Sequence, residues 1–176
     1  MAATAAARLC EDARPDRNEA DTMDTERLKQ WCRAYPGADE VLHAAPSNIL
    51  VYSVGKKFFA YFKTSEPERW RFSLKVTPDR FVELTDMPGA KPARFMGRYH
   101  WVTLVDVRRL PDDYLCELVD WSYRKALGGL SRKRQAEMLA EADEAQRLRL
   151  APIAPTKARP RLVTLPRRGH RADGRS

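Results

Sequence analysis

Apolar and polar positions alternate with two distinct periods along this chain. Leu28, Trp31 and Cys32 recur at helical spacing and predict a first helix from about Thr25 to Ala34. Asp24 stands at its N-cap, Glu26 in its first turn, and Pro36-Gly37 stops it. A β-rich region follows. Val41 to Ala44 predicts a short strand, and Pro46-Ser47-Asn48 a turn. Ile49 to Val54 and Phe58 to Lys63 predict a hairpin turning at Gly55-Lys56-Lys57. Trp70, Phe72 and Leu74 alternate with Arg71, Ser73 and Lys75, placing apolar residues on one face and cations on the other. Thr77-Pro78-Asp79 opens a second helix carrying Phe81, Val82 and Leu84, which Met87-Pro88-Gly89 closes. Residues 90–99 read as a basic loop, and Trp101 to Val105 as the last strand. Pro111-Asp112-Asp113 starts a third helix with Leu115, Leu118, Val119, Ser122 and Ala126 in one stripe, ending at Gly128-Gly129.

Antiparallel alternation with interspersed helices predicts an α+β fold: a sheet of four or five strands, helices packed on one face, and a C-terminal helical extension. Residues 1–22 read as a disordered arm and 23–130 as the α+β domain. Residues 131–150 read as one extension helix capped by Ser131, with Asp143 and Arg147 as an i,i+4 pair. Residues 151–176, with four prolines among basic residues, read as a disordered tail.

Charge sharpens this picture. The formal net charge is +8 over 176 residues. Residues 1–26 carry −4 and residues 151–176 carry +6, which leaves +6 for the centre of the chain. The domain is basic without its tail, which suits a polyanionic partner. Three cysteines (Cys10, Cys32 and Cys116) without close pairing suit a reducing, cytoplasmic setting. The apolar runs at Ile49–Tyr52 and Phe58–Phe62 are too short to span a bilayer. The N-terminus lacks the cationic start of a targeting peptide.

Enzyme chemistry finds little support. His43, His100 and His170 are scattered, and no phosphate-binding or dinucleotide-binding glycine motif is present. The expectation is a non-enzymatic protein without metal or cofactor. The cations are more informative. Lys56 and Lys57 lie at a hairpin tip, Arg71 and Lys75 on the polar face of a strand, and Lys91, Arg94 and Arg98 in the loop before the last strand. The segment R-F-M-G-R-Y-H-W-V-T-L-V, Arg94 to Val105, runs this basic turn into Tyr99, His100 and a core strand. If these side chains converge, they can neutralise the phosphates of a duplex. If they do not, they are a solvated sheet face whose cations discourage edge pairing. A pocket near Tyr99, His100 and Trp101 for a peptide or small ligand is the alternative function.

Several segments, in order, carry a family likeness: C-R-A-Y-P-G-A at Cys32–Ala38, K-K-F-F-A at Lys56–Ala60 and S-L-K-V-T-P at Ser73–Pro78. To these are added R-F-M-G-R-Y-H-W-V-T-L at Arg94–Leu104 and L-P-D-D…D-W-S-Y from Leu110 to Tyr123. From about Leu28 to Leu130 the chain resembles the MmcQ/YjbR family, small bacterial proteins with a fold similar to the CyaY/frataxin type. The resemblance implies DNA binding, with hairpin-like wings gripping a duplex, which agrees with the basic segments read above; the residues expected at that contact are Lys56, Lys57, Arg71, Lys75, Lys91, Arg94, Arg98, Tyr99 and His100. Gly97 and Tyr99 stand where members often carry polar or basic residues, and the arm and everything after about Arg132 are additions. Frataxin-type iron binding relies on an acidic first helix, which this basic domain lacks.

Overall fold

A computed structural model describes residues 23–154. Helix α1 (Thr25–Arg33) begins where the Asp24 carboxylate accepts from the backbone N–H groups of Glu26 and Arg27. Six strands follow: β1 (Ala38–His43), β2 (Ile49–Val54), β3 (Lys57–Lys63), β4 (Phe72–Lys75), β5 (Ala90–Pro92) and β6 (Trp101–Leu104). Helix α2 (Pro78–Thr85) connects β4 to β5 and is capped by Thr77 as its sequence predicts. The long helix α3 (Asp112–Gly128) follows β6.

The strands form one antiparallel sheet in the order β1-β2-β3-β4-β6-β5. The predicted four or five strands are thus six. The additional edge strand, β5, is three residues long, and its pairing with β6 comes from a partner its own sequence does not announce. Lys91 accordingly sits in a strand opposite Thr103 rather than in a loop. Strand β4 starts at Phe72. Trp70 lies outside it with φ +64°, and its ring sits 3.5 Å from the Lys29 ammonium.

One sheet face is covered by helices. Leu50, Tyr52, Val54, Phe62, Phe72, Leu74, Val102 and Leu104 meet Leu115, Leu118, Val119 and Tyr123 of α3 and Leu28, Trp31 and Cys32 of α1. A register shift at Tyr52/Ser53 bulges β3. There the Ser122 hydroxyl donates to the Phe59 carbonyl at 2.6 Å and accepts from the Lys75 N–H at 3.1 Å. Ser122 therefore locks α3 to two strands by satisfying groups that the ladder leaves open.

The extension is not one helix. It forms α4 (Arg132–Met138) and α5 (Glu144–Arg149), with residues 139–143 as a break. The predicted Asp143–Arg147 pair is replaced. Asp143 caps α5 through Gln146 N–H, and Arg147 donates to the carbonyls of Leu139 and Ala140 at the end of α4. Each carboxylate and guanidinium thus closes a helix terminus. Leu150 is fully buried in the core. Residues 151–154, expected to belong to the tail, run along α3 instead. Ile153 N–H donates to the Arg124 carbonyl, and Arg124 Nε to the Ala151 carbonyl. The Ile153 oxygen lies 1.9 Å from where a side chain on Gly128 would begin, so only glycine admits this path. The arm 1–22 and residues 155–176 lie outside the described residues. No helix among the described residues is long and apolar enough to cross a membrane.

Candidate polyanion-binding site

Strand direction decides which cations share an end of the sheet. β2 and β4 run toward the end where β3 and β6 begin. Lys57, Lys75 and Trp101 therefore lie at one end, and the loop 93–100 joins β5 to β6 at that same end. Arg94, Arg98, Tyr99 and His100 arrive there with the loop.

The β2–β3 hairpin turns through Gly55 (φ +52°) and Lys56 (φ +70°), the paired left-handed conformations of a type I′ turn. Glycine suits the first position, and a side chain there would also strike Leu130 at 2.7 Å. The hairpin tip is thereby pinned against the chain just after α3. Lys56, Lys57 and Lys75 meet there with Lys125, in a cleft of about 350 Å³ completed by Phe58, Met96, Trp101, Ser122, Ala126 and Gly129. No aspartate or glutamate is among these lining residues. Burial first, and then the Lys125 ammonium, hold the Lys75 ammonium below the ordinary lysine range. Lys125 donates to the Ala154 carbonyl at 3.2 Å. The negative end of the α3 dipole also faces this region and offsets part of the repulsion.

Of the other predicted cations, two share one carboxylate, which cancels one of their two charges. Arg71 pairs with Glu68, and Lys91 Nζ lies 2.5 Å from the other oxygen of the same carboxylate. These contacts, Lys91's first, hold the Glu68 carboxyl below its ordinary value. Arg94 and Arg98 are exposed and lie over the rings of Phe95 and Tyr99 at 5.0 and 4.8 Å. His100 takes a left-handed backbone (φ +60°), its ring packs edge-on against Phe81, and its carbonyl accepts from Val76 N–H. It is a structural corner of the loop. Trp101 is 4% exposed and stacks on Tyr61 at 5.6 Å, a core position that still lends an edge to the cleft.

A second groove of about 680 Å³ crosses the uncovered sheet face, over Ile49, Val51, Phe58 and Tyr61 and under Arg94, Phe95 and Met96. Phe95 is 83% exposed beside it. Phe58 and Met96 line both hollows.

Lys125 and Glu68 were not among the residues singled out from the sequence. Lys125 had a signal: Ser122, Lys125, Ala126 and Gly129 follow at i, i+3, i+4 and i+7, and all four line the cleft. Glu68 stands three residues before Arg71, a local spacing that could have signalled that pair, while its meeting with Lys91 spans 23 positions and has no such signal. Cys32 and Cys116 are buried thiols, and burial pushes the Cys32 thiol far up. Neither cysteine lines the lysine cleft or the sheet groove.

A basic α+β domain with helices on one sheet face and cations gathered at one sheet end is thus the class of protein. The profile of the YjbR family matches residues 33–125, more than half of the chain, and the protein belongs to that family. The Escherichia coli protein YjbR, described as uncharacterized, is 32% identical over 116 residues, spanning 64% of this chain and 95% of its own. The crystal structure of Deinococcus radiodurans protein DR2400, with a domain described as DUF419, shares the fold. Its TM-score is 0.51 at 22% identity, over 78% of this chain and 94% of that one.

Proposed function

We propose that this protein is a non-enzymatic, sequence-tolerant DNA-binding protein that engages the phosphate backbone with one end of its sheet. The observation that carries this reading is the cleft in which Lys56, Lys57, Lys75 and Lys125 meet without a carboxylate among the lining residues. Arg94 and Arg98 extend the cationic surface along the adjoining loop. Arg71 and Lys91, held by Glu68, drop out of the contact set. Backbone charge contacts give affinity without base preference, since phosphates carry no direct sequence information.

Neutralising about five phosphates gives log K against log salt a slope of about −4 to −5. The combined substitutions K57E, R94E and R98E should flatten that slope by about three and weaken binding at low salt. An unchanged slope in the variant overturns the assignment. A second reading, a peptide or small-ligand module, is favoured by the exposed Phe95 and Phe58 beside the 680 Å³ groove. Binding there would persist at high salt, because burial of apolar surface is not screened.

A further inference from the structure

The lysine cleft differs from an ordinary basic surface in three respects. It is concave, with a volume in the range of small-ligand pockets. Its ammonium groups come from fixed backbone: a type I′ turn pinned by Leu130, a strand end tied to Ser122, and the last turn of α3. Its walls also include Phe58, Met96, Ala126 and the edge of Trp101, an apolar strip directly beside the charge. Phe58 is 49% exposed.

An internal phosphodiester brings one negative charge, whereas a phosphomonoester carries about −1.5 to −2 near neutral pH and offers three acceptor oxygens. Four ammonium groups around one small hollow match the second better than the first. A flat or partly apolar body attached to that phosphate would lie along Phe58 and Met96. We propose that the cleft is a site for a phosphomonoester dianion on a nucleoside-like body, supplied either by a mononucleotide or by the 5′ end of a strand. The strand-end source rests on the nucleic-acid reading above; the mononucleotide source does not. Burial first, and then Lys125, lower the proton affinity of Lys75; an arriving dianion supplies the counter-charge that this half-buried ammonium lacks and offsets the Lys125 repulsion.

The full chain is titrated with one oligonucleotide in 5′-phosphorylated and 5′-hydroxyl forms, with AMP against adenosine, and with a relaxed circular duplex that has no ends. The 5′-phosphorylated strand, AMP or both should bind about tenfold tighter than the unphosphorylated counterpart, the size expected for one added charge-assisted contact set. Discrimination by the strand alone identifies the end of a nucleic acid as the source, and discrimination by AMP alone identifies a free nucleotide. K75M should abolish the discrimination and K75R should retain part of it. Equal binding in both wild-type pairs overturns the proposal, whether or not the variants fold. The circular duplex separates the two readings. Its retention alongside equal binding in both pairs removes the end site and leaves the backbone reading standing. Loss of circular binding with AMP still preferred does the reverse.

Discussion

Glu68 illustrates how one side chain subtracts from a surface. Its single negative charge holds Lys91 and Arg71 together, so one of the two positive charges a sequence would count is cancelled and both side chains are tied down. The pairs are partly exposed and contribute little to folding, of the order of 1 kcal/mol or less. E68Q should therefore leave thermal stability nearly unchanged. On the proposed nucleic-acid reading, it should tighten binding to DNA and steepen the salt slope by roughly one to two. An unaltered slope would place Arg71 and Lys91 away from the partner. Asp120 makes a different case. It accepts from the Tyr35 hydroxyl at 2.5 Å and lies 3.7 Å from Arg149. Burial nonetheless holds its carboxyl above the ordinary 3.8, the Arg149 charge and the Tyr35 hydroxyl acting the other way. The folded chain binds this proton more tightly than the unfolded chain. The stability so gained is complete below 3.8 and is lost as pH rises through the folded value. Urea unfolding between about pH 4 and pH 7 should show wild type losing ground to D120N as pH rises. A difference that stays constant contradicts this.

At the scale of elements, the extension belongs to the fold rather than hanging from it. Leu150 is fully buried, Arg149 reaches both Asp120 and the Trp31 ring, and residues 151–154 lie against α3. L150A should destabilise the domain by about 2–5 kcal/mol, measured by denaturant unfolding. A loss below about 0.5 kcal/mol would mean the extension is an independent appendage. The chain announces its elements unevenly. The β2–β3 hairpin is legible because two β-branched and aromatic runs flank a glycine turn, and α2 because Thr77-Pro78-Asp79 is a complete helix start. β5 is not, since Ala90-Lys91-Pro92 has no strand character and is paired only because β6 lies alongside. The break between α4 and α5 is equally silent. Leu139, Ala140 and Glu141 favour helix, and the interruption is imposed by the core that Ala142 and Leu150 enter. Most of the site is legible for the same reason: Lys56, Lys57, Lys75, Arg94 and Arg98 lie in short hairpin, strand and loop segments, whereas the Lys91–Glu68 pairing spans 23 positions.

For the whole molecule, sign and position of charge matter more than the total. Residues 155–176 add +6, and the chain passes into them from Ala154, whose carbonyl is held by Lys125 of the cleft. The basic tail is therefore rooted at the same sheet end as the lysines. The −4 of residues 1–26 enters the fold at Met23, whose N–H is held by Asp112 at the far end of α3 from Lys125. Trp101 adds a practical consequence. Its indole is shielded from water, rests on Tyr61 and forms one wall of the cleft, while Trp31, Trp70 and Trp121 are not among the cleft's lining residues. Comparing the emission of wild type with that of W101F isolates a built-in optical probe, which reports occupancy of this hollow without any attached dye.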